Sequence, residues 1–215
     1  MEVERGNGVD WITVILAGYI IGCLHGSQIV GIFKKTNIKE CGLKNSGASN
    51  ATIVLGWKYG VLVAFIDIGK GILSLLLIRV LFSGSESEEQ LYVLLFVNGL
   101  FVIIGHIFPV QMKFSGGKGT ASIVGILLVL DWRIALISIF LLIFITFITD
   151  FLVIGVSVMY AAFFLLTILF DYNFIPILVV GLIWIISSFK HIENFIRLKN
   201  QEETRLSSLL KKKAS

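Results

Sequence analysis

The stretch Ile53–Phe82, IVLGWKYGVLVAFIDIGKGILSLLLIRVLF, indicates the fold class, because only four of its thirty side chains are charged. A membrane-spanning helix needs about 20 consecutive, mostly apolar residues, and this stretch exceeds that length. Over the whole 215-residue chain, 56% of the residues are hydrophobic and 15% are charged. Soluble domains average roughly 45–50% apolar and about 25% charged residues. The composition therefore predicts an integral membrane protein and excludes a soluble one.

Further apolar stretches on both sides of this segment predict an array of helices. They are Trp11–Phe33, Leu91–Pro109, Thr120–Thr149, Phe151–Phe170 and Phe174–Phe189. The triplet Asp131-Trp132-Arg133 interrupts Thr120–Thr149, which predicts either two tight helices or a re-entrant hairpin. With that stretch counted as two helices, we expect an all-α protein of about seven transmembrane helices that forms one membrane domain over residues 1–215.

The start of the chain differs from a cleaved signal peptide. The first ten residues contain three acidic side chains, whereas the start of a signal peptide is basic. We therefore expect Trp11–Phe33 to be a retained membrane helix. The two cysteines, Cys23 and Cys41, match no metal-site spacing, so no metal or other cofactor is expected.

The distribution of lysine and arginine predicts the orientation of the helices, because these residues accumulate near cytosolic helix ends. One set of loops carries Lys34, Lys35, Lys39, Lys44, Lys58, Lys113, Lys118, Lys190, Arg197, Lys199, Arg205 and Lys211–Lys213. The opposite set carries only Arg5, Arg79 and Arg133, together with the acidic run Ser83–Gln90. We expect the N-terminus outside and the C-terminus in the cytosol. The basic tail, residues 205–215, lies either on anionic lipid headgroups or frayed in solvent.

Three clusters of polar residues and glycines fall on the predicted cytosolic side. The first cluster, Asn37–Asn50, combines small residues, amides, hydroxyls and lysines. Such a segment can turn its backbone N–H groups toward an anion, or it can be an ordinary flexible loop. The second cluster, Gly105–Ser122, contains the sequence Gly-Gly-Lys-Gly just before a predicted helix. Close backbone approach, one ammonium group and a helix N-terminus are the ingredients of a phosphate site, although a structural turn is the alternative.

The second cluster is not a Walker A loop, because Met112 stands where that motif requires a glycine. The third cluster, Lys190–Arg205, continues directly from the last apolar stretch. At about 100° per residue, His191, Asn194 and Arg197 fall on one helical stripe. That stripe is either a solvated face or a surface turned toward the other two clusters, and its position favours the second interpretation.

A pair of ionisable residues lies inside the bilayer. Asp67 and Lys70 are three residues apart and so share one helix face. A mutually neutralised structural pair and a direct catalytic role are both possible, and we expect the first. His25, Ser27 and His106 lie near predicted helix ends, where polar residues either cap a helix or line a cavity.

The three clusters, in this order and spacing, resemble the three signature motifs of the bacterial PlsY-type glycerol-3-phosphate acyltransferases, which use an acyl phosphate as donor. The second motif matches at Gly105, His106, Phe108, Pro109, Phe114, Gly116, Gly117, Lys118 and Gly119. The first matches at Gly26, Ser27, Asn45, Gly47, Ala48 and Asn50, and the element that follows it at Asp67, Lys70 and Gly71. The third matches at His191, Asn194, Arg197, Leu198 and Glu203.

The resemblance implies transfer of a fatty acyl group from acyl phosphate to the 1-hydroxyl of glycerol 3-phosphate, which gives lysophosphatidate for phospholipid biosynthesis. It implies catalytic roles for Ser27, Asn45, Lys118, His191 and Asn194. Substrate-binding roles are implied for Lys39, Lys44, Gly47, Asn50, His106, Gly116, Gly117, Gly119, Arg197 and Glu203. The expected partners are the two substrates and membrane lipids, with no nucleic acid. The expected location is a bacterial inner membrane, with the active site facing the cytosol.

The sequence departs from the family pattern in the first motif. The Asp-x-Arg of the family is Asn37-Ile38-Lys39 here, and its Gly-Ser-Gly-Asn is Gly42-Leu43-Lys44-Asn45. A Ser-Leu or Ser-Ser element after the fifth helix is Leu152-Val153. A diverged relative with another phosphorylated substrate, or without activity, is therefore an alternative.

Two further classes of protein, a small transporter and a soluble-type acyltransferase, fit the sequence less well. A small transporter would use Asp67 and Lys70 as coupling residues, but it would place broken helices near the midplane of the bilayer. Soluble-type acyltransferases use a histidine with an aspartate five residues later, and none of the three histidines has one.

Overall fold

The computed structural model describes residues 7–84 and 86–211. Over these ranges the regular structure is helical, apart from one isolated bridge between Ser83 and Glu86. The helices are α1 (Asn7–Gly22), α2 (Gly26–Lys34), α3 (Ala48–Leu55), α4 (Trp57–Phe82), α5 (Glu88–Ile107), α6 (Thr120–Leu130), α7 (Trp132–Thr149), α8 (Leu152–Leu169), α9 (Phe174–Lys199) and α10 (Leu206–Lys211). Short 3-10 turns occupy Ile38–Glu40 and Val110–Met112. The predicted all-α class is confirmed.

Within the described ranges, six segments are long and apolar enough to cross a membrane. They are Trp11–Lys34, Trp57–Phe82, Glu88–Met112, Trp132–Thr149, Leu152–Leu169 and Phe174–Lys199. The apolar helix α6 has 11 residues, so at 1.5 Å per residue it extends about 16 Å, against roughly 30 Å for the hydrocarbon core of a bilayer. The count of seven spans and the orientation of the termini stay predictions.

The sequence predicted one helix over Trp11–Phe33. The structure instead divides this stretch into α1 and α2. His25 at the break is extended, with φ −116° and ψ 122°. The break leaves carbonyl oxygens that buried side chains use: the Lys70 ammonium donates to Gly22 O at 2.8 Å and to Leu24 O at 2.5 Å. Irregular backbone at membrane depth is tolerated when protein groups satisfy it in this way.

Two other interruptions have local causes. Gly56 separates α3 from α4 with φ 91°, a conformation that glycine adopts without steric cost. Asp131 separates α6 from α7 and caps α7 by accepting a hydrogen bond from the Arg133 backbone N–H at 2.9 Å. The stretch Thr120–Thr149 is therefore two helices of unequal length.

Contacts at the two ends of α6 show its direction. At its C-terminal end, the Asp131 carboxylate accepts from Tyr172 O–H at 3.0 Å, and the neighbouring Asn173 donates to Glu89 at 2.5 Å. The end of α6 and the beginnings of α5 and α9 thus lie together, at what we call the Glu89 end of the bundle. The N-terminal end of α6 follows Lys118, and Lys118 contacts Asn194 in the C-terminal part of α9. The two ends of α6 therefore lie at opposite ends of the bundle. This direction favours two helices over a re-entrant hairpin.

Glycines let the helices that carry polar residues approach closely. A Cβ at Gly22 of α1 would collide with Val102 O of α5, and a Cβ at Gly125 of α6 would collide with Ile68 O of α4. Small residues at helix contacts are typical of membrane bundles, because close backbone approach replaces the hydrophobic driving force. The central helix α5 packs against α1, α4, α6 and α9, so polar groups from several helices meet at its C-terminal end.

The beginning of the basic tail is docked on the turn between α7 and α8. The Asp150 carboxylate accepts from the Ser207 backbone N–H at 2.7 Å and from the Ser207 hydroxyl at 2.6 Å. The Arg205 guanidinium lies over the Phe151 ring, 5.4 Å from its centroid. These contacts contradict a frayed tail at residues 205–207, while residues 212–215 lie outside the described part of the chain.

Candidate active site

Lys118 and Asn194 join the second polar cluster to the third. The Lys118 ammonium donates to Asn194 Oδ1, and Asn194 Nδ2 donates to Glu203 Oε1 at 2.6 Å. The same carboxylate accepts from Arg197 Nε at 2.8 Å. The stripe of α9 therefore faces the glycine turn, as the sequence predicted.

This cluster is short of negative charge. Lys118 and Arg197 lie around one carboxylate, Glu203, and Arg197 Nη2 is buried with no hydrogen-bond partner among the described residues. Burial, and after it the charge of Arg197, lower the pKa of Lys118 to about 8, although Glu203 acts in the opposite direction. A bound anion would give Arg197 a partner and favour the protonated form of Lys118. The arrangement can therefore bind a phosphate.

His191 lies beside this anion site on α9. Its Nδ1 is 2.8 Å from Ser187 O, and a carbonyl oxygen can only accept, so we assign the proton of the neutral ring to Nδ1. Nε2 is then left as a hydrogen-bond acceptor. The histidine is nearly buried, with 6% of its surface exposed.

Ser187 is a site residue that the sequence reasoning missed. Its hydroxyl donates to Lys118 O at 3.3 Å, and its carbonyl orients His191. A signal was present, because Ser187 precedes His191 by four residues and so extends the stripe of His191 and Asn194.

The first cluster forms one wall of a cavity of about 710 Å³. Ser27 and Lys39, which the sequence predicted, line this cavity together with Thr36, Gln111 and Lys113. Lys39 Nζ donates to Met112 O at 3.4 Å, which joins the first cluster to the second. Gln111 and Thr36 were not predicted, because neither stands out from the polar residues around it.

Asn50 organises the first cluster through hydrogen bonds within the loop. Its Nδ2 lies 2.8, 3.0 and 2.7 Å from the carbonyl oxygens of Ile38, Cys41 and Asn45. Its Oδ1 accepts from the Leu43 backbone N–H at 2.7 Å, and the residue is fully buried. These contacts give Asn50 a structural role, and the predicted substrate contact at this residue stays a prediction.

Other residues of the same loop remain accessible. Asn45 Oδ1 accepts from the Gly47 backbone N–H at 3.0 Å, which forms a tight local turn, and Asn45 is half-buried. Lys44 is exposed and has φ 52°. It stands where the family has a glycine, so the lysine adopts a left-handed conformation that costs a non-glycine residue about 1–2 kcal/mol.

The glycine turn is partly structural. The backbone N–H groups of Gly116 and Gly117 donate to Ile107 O at 2.9 Å and His106 O at 3.1 Å. The prediction that these two N–H groups hold a phosphate is therefore wrong. The N–H groups of Lys118 and Gly119 have no acceptor among the described residues, and they stay candidates for anion binding. Gly119, with φ 83°, precedes α6.

A buried polar layer supports the turn from beneath. Asp67 and Lys70 are 1% and 3% exposed, and their charged atoms lie 3.3 Å apart. The Lys70 ammonium lies 2.7 Å from His106 Nδ1, and Asp67 accepts from the Gly26 backbone N–H at 3.2 Å. The geometry agrees with a structural pair.

His106 belongs to this layer rather than to the accessible site. It is 2% exposed, and its ring stacks on His25 with centroids 4.6 Å apart. A Cβ at Gly117 would collide with its Nε2, so the glycine turn covers the edge of the ring. The ring positions the turn that carries Lys118, and the predicted substrate contact at His106 stays a prediction.

The chain is similar to known proteins over most of its length. Residues 12–201 match the family model for glycerol-3-phosphate acyltransferase. "Glycerol-3-phosphate acyltransferase 1" of Oceanobacillus iheyensis is 50% identical over 207 residues, which cover 95% of this chain and 99% of that protein. The glycerol-3-phosphate acyltransferase of Staphylococcus carnosus is 33% identical and covers 91% of this chain and 97% of its own.

Solved structures resemble the fold as well. A crystal structure of PlsY, an integral membrane glycerol 3-phosphate acyltransferase, in its glycerol 3-phosphate form superposes with a TM-score of 0.82 at 28% identity. The superposition covers 91% of this chain and 95% of that one. The lysophosphatidic acid form of the same protein gives a TM-score of 0.79.

Proposed function

This chain belongs to the glycerol-3-phosphate acyltransferase family, and from that membership we propose that it transfers a fatty acyl group from an acyl phosphate to the 1-hydroxyl of glycerol 3-phosphate. The product is lysophosphatidate, a precursor of membrane phospholipids. The enzyme is an integral membrane protein. Acyl phosphate as the donor, the roles of individual residues and the location of the site are the proposed parts.

The observation that carries the proposal is the anion site of Lys118 and Arg197. Two cations share one carboxylate there, and one buried guanidinium nitrogen has no partner within the described ranges. Buried polar groups are normally satisfied, so a ligand with negative charge fits this vacancy. Arginine and lysine are the side chains that bind phosphate most strongly, through charge-assisted hydrogen bonds. We assign a substrate phosphate to these two residues.

The second substrate phosphate needs a second cationic region. The cavity lined by Ser27, Lys39 and Lys113 is large enough for a small ligand, since ligand sites typically measure roughly 300–1,000 Å³. Lys113 lies on the same loop as Lys118, five residues before it. Two basic regions on one loop suit a reaction in which both substrates carry a phosphate. Lys39 replaces an arginine of the family, so it acts here as a point charge without a bidentate fork.

The proposed chemistry is direct acyl transfer. The 1-hydroxyl oxygen attacks the acyl carbonyl carbon and forms an ester bond, while the bond from that carbon to the phosphate oxygen breaks. Inorganic phosphate leaves with the electron pair, and the hydroxyl proton goes to a substrate phosphate oxygen, with His191 Nε2 as the protein alternative. Acyl phosphate has a good leaving group, so no covalent enzyme intermediate is required.

Donors aimed at the carbonyl oxygen would stabilise the developing negative charge. We assign this role to the Lys118 ammonium and to the free N–H groups of Lys118 and Gly119. One such donor contributes roughly 3–4 kcal/mol in a protease where it has been measured. Asn45 and Asn194 would orient the substrates beside them.

We further propose that the site faces the cytosol of a bacterial cell and that the protein lies in the inner membrane. The lysine-rich loops support this orientation, because they lie on the same side as the three polar clusters. Transport is not favoured. The carbonyl oxygens of Gly22, Cys23 and Leu24 at the break between α1 and α2 already accept hydrogen bonds from Lys70 and Gln111, so they are used within the protein.

The decisive experiment is an activity assay with purified protein in lipid. Acyl phosphate and glycerol 3-phosphate should give lysophosphatidate, while acyl-CoA and acyl carrier protein thioester in parallel reactions should not. Product from a thioester alone would reject acyl phosphate as the donor. No product with any donor, from protein whose thermal unfolding is cooperative, would indicate a diverged relative.

A further inference from the structure

A second cationic crevice lies at the Glu89 end of the bundle, opposite the proposed active site. Its volume is about 520 Å³, and Arg79 and Arg133 both line it. The predicted outer loops carry only three arginines and no lysine, and Arg5 lies outside the described residues. The other two converge on this one crevice, although they are 54 residues apart in the sequence and lie on α4 and α7.

The crevice has an excess of positive charge. Arg133 bonds to Asp131 through Nε at 3.1 Å and Nη2 at 2.7 Å. A guanidinium carries five N–H groups, and the Arg133 side chain is 55% exposed, so part of its fork stays available. Arg79 has no hydrogen-bond or ion-pair partner among the described residues. Two guanidinium groups therefore face one carboxylate.

The surroundings of the crevice are those of a membrane surface. Trp132, which lines the crevice, is 70% exposed, while Val80, next to Arg79 in the sequence, and Leu136, one helical turn after Trp132, are 74% and 65% exposed. Leu128, Val129 and Leu130 form an apolar wall of the same crevice. Tryptophan collects at the level of the lipid headgroups, with aliphatic side chains below it in the hydrocarbon. An occupant of this crevice thus meets cations and apolar surface together.

We propose that this crevice binds the phosphodiester headgroup of an anionic membrane phospholipid. Arg79 and the free edge of Arg133 donate to the phosphate oxygens, and the acyl chains lie along the apolar surface of α4, α6 and α7. Basic pockets between membrane helices recognise anionic headgroups in this way. Arg79 has an alternative explanation that involves no ligand. It lies in the last turn of α4, where the negative end of the helix dipole stabilises a cation. The experiment below separates that explanation from lipid binding.

The test is a lipid titration of the purified protein in a zwitterionic detergent, followed by native mass spectrometry and thermal unfolding. Phosphatidylglycerol, phosphatidylcholine and inorganic phosphate are added separately to wild type and to Arg79→Gln. Lys58→Gln is the matched control, because Lys58 is exposed at the other end of α4. Lipid bound at the cytosolic loops is common to wild type and Arg79→Gln and cancels in their comparison.

We expect half-maximal stabilisation of Arg79→Gln to need about tenfold more phosphatidylglycerol, the loss expected for one charge-assisted hydrogen bond. Lys58→Gln should behave as wild type. An identical phosphatidylglycerol dependence of Arg79→Gln and wild type would overturn the proposal, as would equal stabilisation by phosphatidylcholine. Phosphate bound at the proposed active site stabilises wild type and Arg79→Gln alike, so only stabilisation by inorganic phosphate that is lost in Arg79→Gln would mean a free-anion site in the crevice and would also overturn the proposal.

A second variant covers the case in which Arg79→Gln does not fold. Arg79→Lys retains the positive charge but cannot form a planar fork to phosphate. It should bind phosphatidylglycerol more weakly than wild type while its stability in phosphatidylcholine stays unchanged. If Arg79→Lys and Arg133→Lys both bound phosphatidylglycerol as tightly as wild type does, bidentate headgroup binding would be excluded and the proposal rejected.

Discussion

The Lys118 ammonium donates to the side-chain oxygen of Asn194, across 76 residues of sequence. This bond joins the glycine turn before α6 to the C-terminal part of α9. Glu203 and Arg197 extend the connection into the loop that follows α9. The proposed phosphate site therefore depends on the docking of two distant segments, and mutations in it separate binding of the anion from folding of the bundle.

Lys118→Ala should leave a folded protein whose acyl transfer falls by at least about 100-fold, the lower range for loss of one oxyanion donor. Lys118→Arg should also be poor, because a larger planar guanidinium does not replace a compact ammonium between glycines. Lysophosphatidate formation and thermal unfolding in lipid give the two readouts. Lys58→Ala, an exposed lysine outside the site, is the control. Near-normal turnover in Lys118→Ala would refute the phosphate assignment.

The pKa of Lys118 predicts a pH dependence for substrate binding. The ammonium is protonated below about pH 8 and loses its charge above it, so the KM for the phosphate substrate at this site should rise as the pH increases from 8 to 9.5. In Lys118→Arg this rise should vanish, because a guanidinium stays protonated throughout that range. A KM that is flat with pH in wild type would contradict phosphate binding by Lys118.

The same pKa shift predicts how Lys118 affects stability. Its folded-state pKa of about 8 lies below the usual value of 10.5, so the unfolded chain binds more protons between these two pH values. Its contribution to the free energy of unfolding should therefore increase from pH 8 to pH 10.5. The difference in thermal unfolding between wild type and Lys118→Met across this range isolates the contribution.

Asp67→Asn should reduce stability more than specific activity. The substitution leaves the Lys70 ammonium without its carboxylate at 1–3% exposure. Breaking a buried ion pair in this way typically costs roughly 3–5 kcal/mol. Yield, thermal unfolding and activity per folded molecule are the measurements. A variant that folds as stably as wild type yet is inactive would show that the pair is catalytic.

Gly117→Ala should destabilise the turn that carries Lys118, because the added Cβ would collide with His106 Nε2. We expect lower stability and lower activity together, since the turn cannot keep its place on the buried ring. Gly69→Ala is the matched control, with nothing within 4 Å of the added Cβ. If Gly117→Ala were as stable as wild type, the turn would not be packed on His106 as described.

Cysteine labelling tests the predicted orientation. In a Cys41→Ser background, which removes an exposed thiol, a cysteine at Ser83 should react with an impermeant reagent added to intact cells. A cysteine at Ser208 should react only after lysis. Both positions are exposed, so access across the membrane decides the outcome. Labelling of Ser208→Cys in intact cells would reverse the orientation derived from the lysine distribution.

The sequence could predict the features that depend on local composition and helical period. The apolar stretches Leu91–Pro109 and Phe151–Phe170 differ from α5 and α8 by one to three residues at each end. The stripe of His191, Asn194 and Arg197 follows from 100° per residue, and the structure turns it toward Lys118 as expected. These features need no knowledge of distant contacts.

The tertiary structure decided the features whose partners are distant in the sequence. His25 bonds to His106 O across 81 residues, and Lys70 bonds to Gly22 O across 48. These contacts compensate for the break between α1 and α2, which hydropathy alone could not indicate because Cys23–His25 lies within an apolar stretch.

The same distinction applies to two predicted site residues that the structure buries. Asn50 and His106 are residue types that bind substrates in many enzymes, and nothing in their local sequence indicates that their hydrogen bonds are used internally. Their burial depends on how the bundle closes around them. Apart from the helix breaks at Cys23–His25 and at Gly56, the sequence by itself thus determined where the apolar helices lie and which residues are polar, because membrane helices form from local composition. Only the tertiary structure decided which polar groups face a ligand, because every buried donor and acceptor must first find a partner within the fold.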